Sequence, residues 1–514
     1  MPTYNTTTSV RVAKNTAYLY VKLIISLCFT LFTTRIVLGS LGASDYGIWG
    51  VLGSTIAMLG FLSASMATTT QRFMNYYEGK GDVKEKLKIF NSAVLIHVAI
   101  AVFVGVLFIG FEELMFDVLI KVEQERLIAA KWVYRITVLS TIISIVTVPY
   151  EAAINSHENM LYYSIVGIID IVLKFLLALY VSITPFDKLV VYGITVLSVT
   201  ILTFFLMYIY CRRKYLECVF RPVLYFDRFL IKEMFFFGGW SLVGTSSTMI
   251  SNYGLGIIIN RFFGTVINAT HSVCTQFTGF LQVLSTNLMK AVNPVIVKNE
   301  GKGDRKKMFE ATFFSCKLSF LAYLFIGIPF FIECNYILHV WLTEVPPFCL
   351  EFCQLACVLK VVEQLTVPLN TSITAVGKIK QYNIVIATIQ ISQIALVIVF
   401  FSNGFAPFFC VVAMIVAVII SSMYKIMFCY KKLAMDLVAF ARIIMRCSMH
   451  LVLCMIPAIF LYFMQESYLR LLLVVVSSFL LNTLVGYIVV FNGDEKKVLL
   501  DLVRKMIKRI PAKA

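Results

Sequence analysis

Apolar runs of about twenty residues follow one another along nearly the whole chain, separated by short polar links. A helix needs roughly that length to cross about 30 Å of hydrocarbon, since each residue advances it about 1.5 Å. The runs predict about fourteen membrane-spanning helices. They lie near 15–38, 45–70, 89–111, 128–150, 160–182, 187–211, 234–262, 266–292, 309–332, 349–374, 382–402, 405–429, 443–464 and 469–491. No soluble domain fits between them; the longest outward link is near 112–130. Composition agrees: of 514 residues, 60% are hydrophobic and 14% charged. The expected fold class is all-α integral membrane.

A net charge of +17 would suit nucleic acid if it gathered on a soluble patch. The basic residues instead occupy alternate short links, so no nucleic acid is expected. One group is Arg72, Lys80, Lys84, Lys86 and Lys88; the next is Arg212, Arg213, Lys214, Arg221, Arg228 and Lys232. Then come Lys298, Lys302, Arg305, Lys306 and Lys307, the pairs Lys378/Lys380 and Lys431/Lys432, and the tail from Lys496 to Lys513. Roughly thirty basic residues fall on this side and about five on the other, the bias of cytoplasmic links, so both termini are expected in the cytoplasm. The first run follows Arg11 and Lys14 and has no small-residue cleavage site, so it reads as an uncleaved signal-anchor. Past Asp494, Val498, Leu499, Leu502, Val503, Met506 and Ile507 share one helical face opposite Lys and Arg. A basic amphipathic helix on the leaflet and an extension of the last span fit that tail equally.

The string Glu78-Gly79-Lys80-Gly81-Asp82 returns as Glu300-Gly301-Lys302-Gly303-Asp304, 222 positions later. Arg35 with Gly39 matches Arg261 with Gly264 if a short gap is allowed. At an offset of 219, Thr147-Val148-Pro149 meets Thr366-Val367-Pro368, and Tyr163 meets Tyr382. Two six-helix lobes of the same orientation are expected, 1–215 and 216–432, related by a pseudo-two-fold along the membrane normal with a substrate site between them. Two extra spans (433–493) and the tail (494–514) lie outside the repeat.

A charge at the bilayer centre costs about 2.5–3.5 kcal/mol. Lys22, Arg35, Arg135, Lys174, Arg261, Lys290, Lys317, Lys360 and Lys425 all fall within expected spans. Arg135, Lys317 and Lys425 lie near span ends and are expected to snorkel to the headgroups. Lys22, Lys174 and Lys360 lie deeper and should face the interior of the bundle or a wet cavity. Polar stripes accompany them: Asn15, Lys22, Ser26 and Thr33 on the first span, and Ser54, Ser65, Thr68 and Arg72 on the second. The seventh carries Ser241, Thr245, Thr248 and Asn252, and the eighth His271, Thr275, Thr278, Gln282, Ser285 and Asn293. Any one stripe reads equally as glue between helices; their recurrence in both halves, with Lys22 in one, favours a shared hydrated cavity. Asp170 and Lys174 are one turn apart and suit an intrahelical ion pair. The repeat sets Lys174 opposite Gln393, Asp170 opposite Ile389, and Thr141 and Ser144 opposite Lys360 and Glu363. The cavity is therefore expected to be asymmetric and more cationic than anionic. Arg35 and Arg261, at outward helix ends, read as structural anchors, and Pro149 and Pro368 as inert kinks in preference to hinges.

Cys349, Cys353 and Cys357 share a helix face without a His or carboxylate partner, so apolar packing is expected there and no metal. No phosphate-cradling loop, zinc-protease helix or nucleophile elbow occurs in the sequence, and no enzyme is expected.

Thr34-Arg35-Ile36-Val37-Leu38, Leu41-Gly42, Asp45-Tyr46-Gly47, Thr70-Gln71-Arg72-Phe73 and Gly79-Lys80-Gly81-Asp82 resemble the opening of bacterial polysaccharide-export flippases. These are the O-antigen and capsule repeat-unit translocases of the multidrug/oligosaccharidyl-lipid/polysaccharide exporter superfamily. Ala291-Val292-Asn293-Pro294, leading into Gly303-Asp304, is similar to the matching part of that family. The resemblance implies a MATE-like pair of lobes in the bacterial inner membrane. It further implies translocation of an undecaprenyl-pyrophosphate-linked oligosaccharide from the cytoplasmic to the periplasmic leaflet by alternating access. Lys22, Arg72, Lys174, Lys290 and Lys360 are then candidates for the pyrophosphate, and Asn252, Gln276 and Gln282 for the glycan. Asp170 and Glu363 are candidates for ion coupling should a proton or sodium gradient drive the cycle. No cofactor is expected; the expected partners are the lipid-linked oligosaccharide, membrane lipids and other polysaccharide-assembly membrane proteins. A drug or cation antiporter of the same superfamily should concentrate carboxylates in the cavity, and a membrane-embedded glycan-processing enzyme should carry a large outward loop.

Overall fold

A computed structural model describes residues 6–58, 60–116, 124–341, 345–493 and 495–497. Every regular element among them is helical. The longer helices in chain order are α1 (Thr6–Met58), α2 (Gly60–Lys80), α3 (Val83–Gly110), α4 (Leu127–Ser156), α5 (Met160–Ile183), α6 (Lys188–Lys214) and α7 (Arg228–Gly301). They continue as α8 (Arg305–Ile332), α9 (Cys349–Gln364), α10 (Val367–Val376), α11 (Lys380–Ser402), α12 (Phe409–Leu433), α13 (Leu437–Tyr462) and α14 (Tyr468–Val485). Asp82, Asp187 and Asp304 cap α3, α6 and α8 by accepting hydrogen bonds from first-turn amides, which explains why these helices start where they do.

Among the described residues, twelve helices are long and apolar enough to cross a membrane, so the chain is a multi-pass membrane protein. The expected spans at 45–70 and 266–292 are not among the twelve. The first is divided between α1 and α2, and α2 carries the polar string from Thr68 to Arg72. The second is the continuation of α7 past Gly264, where polar residues from His271 to Lys290 interrupt the apolar ones.

Two glycines bend the longest helices alike: Gly42 has φ 77° and ψ 171°, and Gly264 has φ 80° and ψ −173°. That region is essentially closed to residues with a Cβ. The two positions are 222 apart, the offset of the Glu-Gly-Lys-Gly-Asp strings, and no gap separates them. The pairing of Arg35 and Gly39 with Arg261 and Gly264 is therefore corrected: Gly42 is the counterpart of Gly264, and Gly39 that of Arg261. Gly81 and Gly303, in the repeated strings, have φ 75° and 76°. Glu158 (φ 55°) and Gly377 (φ 89°), 219 apart, make the same left-handed turn into α5 and α11.

The chain forms two compact units, Asn15–Leu242 (the first unit) and Val243–Ala514 with Met1–Lys14 (the second). Their boundary falls inside α7, downstream of the link at 215–216. In the first unit the start of α7 is fastened to α2: Ser65 Oγ donates to the Gly238 carbonyl at 2.8 Å, and the Phe73 and Phe237 rings meet at 5.8 Å.

Each unit has an apolar core, and several positions of one recur in the other. Leu52, Phe108, Ala130, Val133, Tyr134 and Val138 are buried together in the first unit. At offsets of 222 or 219 stand Cys274, Phe330, Cys349, Phe352, Cys353 and Cys357, buried together in the second. The cysteines thus occupy places where the other half packs Leu, Ala, Tyr and Val, and they contribute small apolar volume.

Helices α13 and α14 belong to the second unit and pack on α8. Asn482 Nδ2 donates to the Leu321 carbonyl at 3.0 Å, and Arg470 forms a buried pair with Glu333 at 2.8 Å. Lys317 is 1% exposed and pairs with Glu495 at 2.8 Å, and Lys425 is 9% exposed. Snorkelling is therefore corrected for both: the Lys317 charge stays inside because a carboxylate meets it there. Arg135 is exposed and holds Glu112 at 2.9 and 3.0 Å. Of the tail, Asp494 and 498–514 lie outside the described residues.

Candidate functional site

Among the described residues, each unit gathers some of the sequence-selected charges into a cluster within its membrane-spanning helices. In the first unit it is built on α5, where Tyr163, Gly167, Asp170 and Lys174 follow one another at spacings of four, three and four and so share a face. Lys22 of α1 lies across this face, its Nζ 4.2 Å from the centre of the Tyr163 ring. Gly167 makes the approach possible: a Cβ there would stand 2.3 Å from Lys22 Cε and 2.5 Å from Nζ. One turn further, Lys174 Nζ meets Asp170 Oδ2 at 2.9 Å, and both side chains keep partial exposure. Asn15 Nδ2 donates to the Glu158 carbonyl at 2.9 Å, and Phe29 meets Phe175 edge-on at 5.1 Å. The polar stripe of α1 is thus seated on α5. Its hydroxyls serve the helix itself, Ser26 donating to the Lys22 carbonyl and Thr33 to that of Phe29. In this stripe the Lys22 ammonium carries the charge.

The second cluster lies between α7 and α9 in the second unit. Lys360 Nζ donates to Gln282 Oε1 and to Glu363 Oε2, each at 2.7 Å. Directly after Glu363 and Gln364 the span breaks; α10 restarts at Val367 with Pro368 in its first turn. Proline has no N–H to donate, so the break leaves backbone carbonyls without helical partners. Side-chain contacts hold the break, among them Ser285 to Gln364, and Thr366 to Ser422 at 2.9 Å. Pro149, in contrast, sits inside the unbroken α4. Irregular backbone beside charge at membrane depth is the arrangement that lines polar paths.

The other sequence-selected residues lie apart from these two clusters or beside them. Arg72 is buried, its guanidinium 4.6, 5.0 and 5.2 Å from the Phe73, Tyr76 and Phe237 rings. Lys290 is half-buried on α7; Arg35 and Arg261 are exposed. The side chains of Asn252 and Gln276 lie outside the described residues. In the seventh-span stripe Thr248 meets Gln390 at 3.2 Å, as does neighbouring Ser247 at 2.6 Å.

Sequence reasoning passed over two constellations. Arg126 bridges Asp45 and Asp187, with Nε to Asp45 at 2.8 Å and Nη1 to Asp187 at 2.6 Å. Burial by itself would raise the Asp187 carboxyl, but hydrogen bonds from Arg126 and from the Val190 and Leu189 amides hold it below its ordinary value. Glu78, His157 and Glu217 are, among the described residues, the one group of three that could hold a metal ion. The two carboxylates meet opposite ring nitrogens, Glu78 at Nδ1 (3.5 Å) and Glu217 at Nε2 (2.5 Å). A metal would require the donors to converge on one point; these bracket the imidazole, and Lys86 holds Glu78 at 2.8 Å. No spacing in the sequence announces either group, since each draws on three separate links or helix ends.

No family model and no curated protein matches the sequence. Solved structures do match it. A structure of MATE in complex with MaD3S superposes with a TM-score of 0.72 at 12% identity, covering 83% of this chain and 98% of that one. An outward-facing multidrug resistance MATE family transporter of the MOP superfamily gives 0.71 at 13% identity, covering 86% and 99%. A MOP superfamily transporter from Pyrococcus furiosus, described as having a binding pocket of reverse polarity that suggests a different function, gives 0.67 at 12% identity, covering 83% and 98%. The chain has the MATE transporter fold.

Proposed function

We propose that this chain is a bacterial inner-membrane transporter that flips undecaprenyl-pyrophosphate-linked O-antigen or capsule repeat units from the cytoplasmic to the periplasmic leaflet by alternating access. One observation carries the reading: charge within the spans is biased toward cations. Asp170 and Glu363 are each matched by a lysine, at 2.9 and 2.7 Å, and Lys22 Nζ stands 4.2 Å from the centre of the Tyr163 ring. Lys22, Lys290 and Arg72 add further basic side chains to the spans, so that lysines and arginines there outnumber the carboxylates Asp170 and Glu363. A pyrophosphate carries about two negative charges, and charge-assisted bonds to it strengthen where water is scarce. Gln282, already bonded to Lys360, supplies an amide for sugar hydroxyls, and Asn252 and Gln276 are proposed for the same task.

A drug or cation antiporter on the same fold is the competing reading, and Asp170 and Glu363 favour it, because carboxylates can exchange a proton or sodium for a cation. Their lysine partners count against it: each carboxylate is already neutralised. The Pyrococcus furiosus protein, with its reverse-polarity pocket, supports the view that this fold accommodates pockets of different sign.

The test is the double variant Lys22→Gln/Lys360→Gln in a strain whose surface glycan depends on this gene. Surface glycan should fall to the deletion level while protein level holds, and lipid-linked oligosaccharide should accumulate on the cytoplasmic side. Normal glycan in the double variant rejects the site. Unchanged lipid-linked pools in the deletion strain, together with increased drug susceptibility, establish the antiporter instead.

A further inference from the structure

A cavity of about 580 Å³ opens in the second unit where α11 begins and α12 ends. Lys378, Lys380 and Lys432 stand on its rim, and Ile384, Phe428 and Leu433 form its apolar wall. All three lysines are exposed, and Ile384 is 41% exposed beside them. The first turn of α11 has no side-chain cap, so its amides add to the positive field on the same rim.

The same corner of the first unit carries three tyrosines. The positions 219 earlier than Lys378, Lys380 and Lys432 are Asn159, Leu161 and Arg213. There Tyr162 stacks on Tyr210 at 3.6 Å, and Asn159 Nδ2 donates to the Tyr210 hydroxyl at 2.6 Å and to that of Tyr215 at 3.3 Å. The counterparts of Tyr210 and Tyr215 are Cys429 and Ala434, so neither phenol ring recurs at this end of the second unit. Basic links on this side of a membrane protein are ordinary. A basic rim over an apolar hollow is not explained by that bias.

We propose that this cavity binds one anionic phospholipid. Its phosphodiester lies among Lys378, Lys380 and Lys432, and an acyl chain runs along Ile384 and Phe428. The rim suits any phosphate, but the apolar wall suits only a phosphate that carries a hydrocarbon chain. The lysines belong to the links that the charge bias assigns to the cytoplasmic leaflet, where anionic lipids attract basic residues.

The purified full chain in detergent, titrated with phosphatidylglycerol and with phosphatidylcholine and followed by native mass spectrometry, tests this. Phosphatidylglycerol should bind preferentially, and Lys378→Gln/Lys380→Gln/Lys432→Gln should weaken it by roughly tenfold or more. Ile384→Phe, which fills the wall without changing charge, should weaken it as well. Melting temperatures of these exposed-site variants should match the parent; if the triple variant melts early, the single lysine variants and Ile384→Phe decide. Equal binding of the two lipids, or parental binding by both the lysine and the Ile384 variants, overturns the proposal. Displacement of phosphatidylglycerol by millimolar inorganic phosphate overturns it too, and marks a site for free anions.

Discussion

At one corner of the first unit Asp45, Arg126 and Asp187 make an ionic clamp that ties α1 to α4 and α6. The counterpart positions in the second unit are Ile267, Val345 and Ala406. Ile267 and Val345 lie in the apolar cluster there. The same junction is therefore closed by charge in one half and by hydrocarbon in the other. Asp45 and Arg126 meet through charge where Ile267 and Val345 share an apolar cluster, so the chemistry of the contact differs between the halves. The charged clusters show the opposite. Lys22, Asp170 and Lys174 face Gly244, Ile389 and Gln393 across the repeat, while Gln282, Lys360 and Glu363 face Gly60, Thr141 and Ser144. Each half keeps charge at membrane depth where the other has none. Charge that is costly to insert and tied to one half is hard to attribute to scaffold alone.

The glycine bends are the feature both halves share, and removing them has the largest expected effect. Gly42→Ala and Gly264→Ala should each destabilise by about 1–3 kcal/mol, because both backbones lie in a region reserved for glycine. A Cβ at either position meets nothing within 4 Å, so the loss would be conformational. Thermal melts of the purified variants measure it; two unshifted melts would show that the bends relax freely. Next comes the clamp. Arg126→Ala leaves two carboxylates facing each other without their partner and should cost about 1–2 kcal/mol, kept modest by solvent screening. Asp45→Ile/Arg126→Val/Asp187→Ala, which copies the second unit, should recover most of that stability. If the triple variant is worse than the single one, the two corners are not equivalent.

Gly167→Val sharpens the contrast between the clusters without altering any charge. The new side chain would occupy the space of Lys22 Cε and Nζ. On the proposed function, surface glycan should fall, though less than in Lys22→Gln, since the lysine survives in another pose. The counterpart position already holds Ile386. Full export by Gly167→Val would show that the seat of Lys22 does not matter. The smallest effect concerns pH. Asp187 is held below its ordinary value of 3.8, so its contribution is complete above that value and is lost as pH falls through the lower value of the folded state. Asp187→Asn should therefore narrow the melting difference between neutral and strongly acid solution; an unchanged pH profile would remove Asp187 from the account.

Much of this arrangement could be read along the chain. Periodicity announced the helices, the repeated strings gave the offset that also relates Gly42 to Gly264, and the spacing 163, 167, 170, 174 places one cluster on a single face of α5. Lys22, Lys174 and Lys360 stood out because charge is rare in such runs. The burial of Lys317 was not readable, because its partner Glu495 lies 178 residues away. Nor was the difference between Pro149 and Pro368, which share a local sequence and differ in what packs around them.

The chain's own order of residues determined that it crosses a membrane repeatedly as helices, since apolar length and the need to satisfy backbone groups in lipid are local properties. It also determined the internal repeat, because duplicated turns need the same glycines and caps wherever they occur. Only the tertiary structure decided which charges meet a partner, which corner is clamped and which is hollow. Those outcomes depend on side chains brought together from distant helices, and the energy of a charge or a cavity is set by its neighbours in space.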